Sequence, residues 1–456
     1  MRTIVIQRFA STVRTPFSKQ VLAMSIRIPL AKKPVPNRLW AGLVGWGAAL
    51  ALGLTVAGCG GGGGGSSTAS GVQPTSTASA APTLSALAQL GEQVFKDPSL
   101  SASGSQSCAS CHDAAHGHAP ANNLSAQLGG TTGSDQQGLR AAPAIRYLVY
   151  NTGFAFAADG TPTGGFFWDG RAATLAEQAA QPFLNEREMA NGSKAEVMAK
   201  LAQASYAPAF KALFGAGFFD DVDSAFQRVT LALQAYQKED TDFAPFSSKY
   251  DAFLRGGTSL SPQELRGLAW FNSPAKGNCA ACHPSAKSAD GRHPLFTDFS
   301  YDALGVPRNW ALAANSDAAY QDRGLCDSAA LTGLALSEFS RQALCGAFKV
   351  PSLRNVALRQ SYFHNGAFHD LKTVVTFYVQ RDTNPEKWYL RADGSVDLAT
   401  DGSVNKFNDL SAAHKANVNV SEAPYNRPLG GTPALSEAEI DDVVAFLQTL
   451  SDGWSP

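Results

Sequence analysis

Apolar residues recur at helical spacing near Leu84, at Leu84, Leu87, Leu90 and Val94. This predicts an amphipathic helix from Leu84 to Phe95. The pattern returns later: Leu84, Ser85, Gly91 and Phe95 correspond to Leu260, Ser261, Gly267 and Phe271, all offset by 176. Ser261-Pro262-Gln263-Glu264 is a strong helix start, with serine as cap, proline in the first turn and glutamate reaching back. Ser436-Glu437-Ala438-Glu439 repeats that box before a final predicted helix, Ile440 to Leu450. Little of the chain alternates with the period of a half-buried strand. The polar stretch Arg391 to Pro433 reads as irregular surface loop. The expected fold is all-α with long irregular loops, in two domains related by internal duplication, residues 84–245 and 246–456.

One apolar run stands apart. Leu39 to Ala57 follows a positive flank of Arg27, Lys32, Lys33 and Arg38, and reads as a targeting segment rather than fold. It ends in Val56-Ala57-Gly58-Cys59, which resembles a bacterial lipoprotein signal. Cleavage after residues 1–58 leaves Cys59 to carry lipid. The run is also long enough to be a plain transmembrane anchor, but the cysteine at its end favours the lipoprotein. Met24 is an alternative start to Met1. Residues 59–83, rich in Gly, Ser, Thr and Ala, predict a flexible tether. The expected location is periplasmic, tethered to a membrane.

Charge follows the same division. Residues 1–58 hold eight of the 37 Lys and Arg and none of the 38 Asp and Glu. The remainder therefore carries 29 against 38, a formal charge of −9. An acidic surface suits a basic protein partner and argues against nucleic acid.

The repeated helix leads each time into a cysteine motif. Cys108-Ala109-Ser110-Cys111-His112 is echoed by Cys279-Ala280-Ala281-Cys282-His283, offset by 171, so the second intervening loop is five residues shorter. C-x-x-C-H is the attachment signature of c-type haem. Two thiols add to the haem vinyl groups from one turn of backbone, and the next residue places an imidazole nitrogen on the iron. A zinc site built from both pairs and thioredoxin-like redox pairs are the rivals; neither explains a His following both times. Each domain is then cytochrome c-like, with one covalently bound haem. Seven cysteines are accounted for: Cys59 for lipid, four for haem, and Cys326 with Cys345 left to form a disulfide in an oxidising compartment.

The other face of each iron is constrained by scarcity. Methionine is a common partner of His in electron-transfer haems. Beyond the targeting segment only Met189 and Met198 occur, both in the first domain. The second haem therefore takes its further ligand from His293, His364, His369, His414 or a Tyr. No His lies between Ala119 and Phe167. His116 and His118 follow His112 too closely to reach the opposite face and read as solvated loop residues. An open sixth site is expected at the first haem, where oxidant chemistry happens.

The two haem motifs, Phe167-Trp168-Asp169-Gly170-Arg171 between them, and Phe348-Lys349-Val350-Pro351-Ser352-Leu353-Arg354-Asn355 with Tyr362-Phe363-His364-Asn365-Gly366 after them, resemble the bacterial dihaem cytochrome c peroxidase superfamily. The resemblance runs from Leu84 to Leu450. It implies a peroxidatic N-terminal haem, an electron-exchanging C-terminal haem and a relay role for Trp168. It brings Phe167, Arg171 and His364 into the haem surroundings. It also implies that Gln178 and Glu188 line the peroxide pocket. A carboxylate there can move a proton between the peroxide oxygens, and an amide can orient the peroxide.

Two departures define the branch. At the position where these peroxidases carry a Met ligand of the second haem stands Tyr378, as in the MauG-like branch. A phenolate favours oxidised iron and lowers the potential. The family also holds Ca²⁺ between the haems on an Asn side chain and two backbone carbonyls. The Asn position is Ala141, and the carbonyls fall at Arg359 and Ser361. Losing an oxygen ligand weakens such a site, so calcium is expected weak or absent, with Arg359 supplying positive charge.

The expected function is reduction of H₂O₂ at the His112 haem, with the second oxidising equivalent passing by Trp168 to a haem held by His283 and Tyr378. Electrons then come from an unidentified reductant, a small redox protein or a protein residue. The alternatives are an ordinary cytochrome c peroxidase fed by a small cytochrome, and a non-enzymatic electron carrier.

Overall fold

The computed structural model describes residues 83–456. The signal segment with Met24, the lipid-bearing Cys59 and nearly all of the tether lie outside the described residues.

The fold is mainly helical. α1 (Ala86–Lys96) begins where the Ser85 side chain accepts from the Ala88 amide, and it buries Leu90, Gly91, Val94 and Phe95. A single turn, α2 (Cys108–Cys111), carries the first cysteine pair. α3 (Leu175–Leu184), α4 (Lys194–Leu201), α5 (Ala207–Phe214) and α6 (Val222–Glu239) follow. They enclose a core that includes Phe95, Phe183, Leu201, Phe226 and Leu233. Met189 and Met198 are buried in this same core.

The second half repeats the plan. After α7 (Lys249–Leu254), α8 (Pro262–Asn272) opens on the predicted capping box, and the second cysteine motif follows it. α9 (Glu338–Gln342), α10 (Leu371–Gln380) and α11 (Glu437–Gln448) complete the helices. Phe271, Phe296, Val375, Ile440, Val443 and Phe446 lie at the centre of its core. Burying each such side chain contributes about 1.5–3 kcal/mol. The strands among the described residues are two residues each, in three antiparallel pairs, so the helical cores hold the fold.

The duplicated glycines explain why the helices cross as they do. A Cβ on Gly91 would lie 2.0 Å from the Ala232 carbonyl oxygen of α6, and one on Gly267 would lie 1.9 Å from that of Asp442 in α11. In both halves the helix before the haem motif rests its bare backbone on a later helix.

The stretch Arg391 to Pro433 is irregular, as expected, but it is not simply surface. Phe407, Leu410, Val418 and Tyr425 are buried, and Leu410 and Tyr425 line an internal cavity. Its apolar residues are spaced too irregularly to signal burial in the sequence. Cys326 and Cys345 are joined, with Cα atoms 4.8 Å apart, and pack with Leu325, Leu331 and Leu344 in a small separate cluster. No described helix is long and apolar enough to cross a membrane.

Candidate functional site

Each C-x-x-C-H motif closes on itself in one turn, so both thiols and the imidazole emerge from one short stretch. His112 Nδ1 lies 3.2 Å from the His118 carbonyl oxygen, and His283 Nδ1 lies 2.7 Å from that of Phe296. A carbonyl only accepts, so each Nδ1 carries the hydrogen and each Nε2 keeps a lone pair for a metal. Burial pushes His112 down to about 4 and lowers His283 as well. Both imidazoles are thus held neutral.

The four thiols are unbridged. Burial pushes Cys108 and Cys279 up to about 12 and Cys111 up to about 11. Reactive redox cysteines and zinc ligands need the opposite shift. Among the described residues no cluster of three or more His, Cys, Asp or Glu is arranged to hold a metal ion. The two cysteine pairs do not come together as one four-thiolate zinc site among the described residues.

A large cavity fits a haem at the second motif. It encloses roughly 2160 Å³ including its opening, and Cys279, Cys282, His283 and Tyr378 share its wall with Phe271, Val375, Val443 and Leu447. Arg146 lines it too, and its Nε is buried without a hydrogen-bond partner among the described residues. A flat apolar macrocycle with carboxylate arms suits both features: the walls take the ring, and the orphaned guanidinium nitrogen takes an anion.

Tyr378 projects into this cavity from α10. Burial raises its hydroxyl far above the ordinary value, and the Cys279 and Cys282 thiols act in the same direction. The phenol therefore lies within electrostatic reach of both attachment residues. Of the histidines left open by the sequence, His364 also lines the cavity, stacked at 3.5 Å on Phe348. His293 is held by Asp251 at 2.6 Å, His414 by Gln342 at 2.7 Å, and His369 by the Gln360 carbonyl at 2.9 Å.

At the first motif the carboxyl that acts on both Cys108 and Cys111 is Glu188. Burial raises it, against the pull of Arg171 and of Asn185. Asn185 Nδ2 donates to Glu188 Oε1 at 2.7 Å. The Glu186 side chain is 82% exposed, so the turn separates the two glutamates. Arg171 stacks on Phe167 at 3.6 Å, pairs with Asp169 at 2.9 Å, and donates from Nε to Gln181 Oε1 at 2.8 Å. Gln178 lies on the same helix, half-buried, and the amide bound to Arg171 is that of Gln181. Sequence reasoning missed Gln181; its signal was its place on α3 three residues beyond Gln178.

Trp168 shares the wall of the cavity at the second motif. Its Nε1 donates to the Ala141 carbonyl at 2.8 Å, and its own carbonyl accepts from the Lys349 amide at 2.8 Å. Lys349, also missed, is buried; its Nζ donates to the Gly165 carbonyl at 2.6 Å, and burial pushes it down to about 7.

The calcium position, where binding is expected weak or absent, offers few oxygen ligands. Ala141 offers no side-chain oxygen. The Arg359 guanidinium already donates to the Ser361 and Ala142 carbonyls, both at 3.2 Å. It is buried deeply enough to be pushed down to about 10, and it acts on His112.

His118 corrects the sequence expectation. It is 2% exposed, and its Nε2 meets Asp242 Oδ2 at 2.8 Å. His116 stays partly exposed, against Asp113 at 2.8 Å.

The sequence profile described as di-haem cytochrome c peroxidase matches residues 85–259. The methylamine utilization protein MauG of Paracoccus denitrificans is 37% identical over 388 residues, covering 82% of this chain and 90% of that protein. The cytochrome c551 peroxidase of Nitrosomonas europaea is 32% identical over 290 residues, covering 63% of this chain and 71% of the relative. Among solved structures, the diheme peroxidase BthA from Burkholderia thailandensis superposes with a TM-score of 0.74 at 40% identity, covering 82% of this chain and 87% of that one.

Proposed function

The chain belongs to the di-haem cytochrome c peroxidase family and is a haem-dependent peroxidase, and from that premise we propose that it is a MauG-like enzyme with two covalently attached c-type haems. Cys108, Cys111 and His112 hold the first, and Cys279, Cys282 and His283 hold the second. When bound, the haems supply redox-active iron that takes up peroxide and stores oxidising equivalents.

The side chains divide the remaining work. Glu188 moves the proton. Its Oε1 is occupied by Asn185, so Oε2 is the oxygen that takes a proton from one peroxide oxygen and returns it to the other. Burial keeps this carboxyl protonated to higher pH than a surface glutamate. Arg171, braced by Phe167, Asp169 and Gln181, faces Glu188 with positive charge and orients the oxidant. Gln178, on the same helix, is the second amide available to the pocket. Trp168, with its indole hydrogen bonded, offers the aromatic bridge between the two sites.

The observation that carries the MauG-like reading is Tyr378 facing the cavity that holds His283. Burial opposes loss of the phenol proton, so a phenolate is stable there only against a cation as close as a ligated iron. Such a ligand favours the oxidised state and sharing of oxidising equivalents between the sites. His364, stacked on Phe348, packs beside that haem. The reductant is a redox protein or a protein residue that meets an acidic surface. We place the enzyme in the periplasm, tethered through Cys59.

The test is an optical and near-infrared spectrum of the fully oxidised protein after stoichiometric H₂O₂, with no prior reduction. Reaction at both haems, with a near-infrared charge-transfer band, is expected. Failure to react until one haem is reduced would overturn the MauG-like reading in favour of an ordinary cytochrome c peroxidase.

A further inference from the structure

Two adjacent residues grip two adjacent residues around Trp168. The Ala141 carbonyl accepts the Trp168 indole N–H at 2.8 Å, and the Arg140 side chain pairs with the next residue, Asp169, at 2.8 Å. A single hydrogen bond lets a ring swing about it; the second contact fixes the backbone that carries the ring. The other holds are main-chain bonds. The Trp168 carbonyl accepts from the Lys349 amide at 2.8 Å, and the Ala141 amide donates to the His364 carbonyl at 2.7 Å. Substitution leaves those bonds in place, so Arg140 is the hold that a side-chain change can release.

Arg140 is anchored in turn. Its Nε and Nη2 donate to the two carboxylate oxygens of Asp322 at 2.6 and 2.7 Å, a fork that sets the plane of the guanidinium. Asp322 also accepts from the Gly324 amide at 3.0 Å. The Leu325 amide donates to the Ala347 carbonyl at 2.9 Å, and both residues belong to the cluster closed by the Cys326–Cys345 bridge. The Arg140 side chain is 20% exposed, and those of Asp169 and Asp322 are 9% and 10% exposed. Pairs so far from solvent are little screened by salt. Lysine would carry the same charge on one nitrogen, without the planar fork.

We propose that Arg140, anchored by Asp322, is a positioning residue for Trp168. It fixes the indole in the wall of the second-motif cavity, in the orientation that passage of oxidising equivalents requires. This assignment rests on the relay reading of Trp168.

The test compares the haem-loaded protein with Arg140→Lys and with the double variant Arg140→Gln, Asp322→Asn. The double variant removes one charge of each sign and leaves Asp169 paired with Arg171. Ultraviolet resonance Raman difference spectra, each taken against the same protein carrying Trp168→Phe, isolate the Trp168 indole and report its N–H hydrogen bond. In both variants that band is expected to shift toward a weaker hydrogen bond, and the near-infrared band formed with H₂O₂ is expected to be lost at full haem loading. A lowered melting temperature with the Trp168 band unmoved makes Arg140 a structural prop and overturns the assignment. A shifted Trp168 with an undiminished near-infrared band overturns it too, as does failure of both variants to fold. Absence of the near-infrared band from the unaltered protein would instead defeat the MauG-like reading, and the Raman shift would still decide whether Arg140 holds Trp168.

Discussion

Replacing Glu188 by Gln removes one transferable proton and almost no volume. General acid–base assistance is worth roughly 10²–10⁴ in rate, or about 2.7–5.4 kcal/mol at 1.36 kcal/mol per decade. At least the lower end is expected here. Glu188 is the carboxyl that acts on both thiols of the first motif, and Glu186 points outward and cannot replace it. Asn185 can still donate to the new amide oxygen, so the turn should persist. Stability should move the other way. Burial raises the Glu188 carboxyl in the folded state, while the unfolded chain titrates near roughly 4.3. The folded protein therefore keeps the proton longer, and stability is lost as pH rises between those two values. The Gln variant escapes that loss. It should be as stable as the parent at pH 4 and equal or better at pH 7. Stopped-flow mixing with H₂O₂ and thermal melts at both pH values measure the two effects. A peroxide rate equal to the parent's, with the variant fully loaded, refutes the assignment of Glu188.

Three further outcomes can be checked directly. Tyr378→Met should raise the midpoint of the second haem and make peroxide reactivity depend on prior reduction, read by spectroelectrochemistry. Gly267→Ala forces a methyl into the Asp442 carbonyl; overpacking of this kind costs about 1–3 kcal/mol, and the clash with rigid backbone puts it at the upper end in a denaturant melt. Exhaustive dialysis against chelator should leave activity and the inter-haem spectrum unchanged, and one tightly held Ca²⁺ per chain by metal analysis would contradict the role given to Arg359.

The helices were legible because local rules agree there. Ser85, Ser261 and Ser436 cap, Gly91 and Gly267 repeat, and the apolar period is helical on each side. The haem motifs were legible because their five residues are contiguous. Contacts made across the fold were not. Gln178 was singled out by its distance along the chain from Trp168, yet Gln181 is the amide that meets Arg171. His118 looked solvated because it follows His116 and Gly117 in a short loop just after His112, while its burial comes from Phe95 and Phe243. Lys349 belongs to the Phe348–Asn355 motif, but its burial carried no signal, since lysine is ordinarily exposed. Arg391 to Pro433 hides its buried residues because they serve a cavity rather than a helix face.

The disulfide of the small third cluster has a consequence for how the chain is made. Six cysteines lie in the described residues, and six admit fifteen pairings. One pairing, Cys326 with Cys345, tethers the strand that carries Phe348 and Lys349. If haem attaches as proposed, the other four thiols must stay reduced until it reaches them. Each of those pairs is closer in sequence than Cys326 is to Cys345, so loop closure favours the wrong bridges. The nascent chain thus needs oxidant at one place and reductant at two others, in the same compartment and before its cores close.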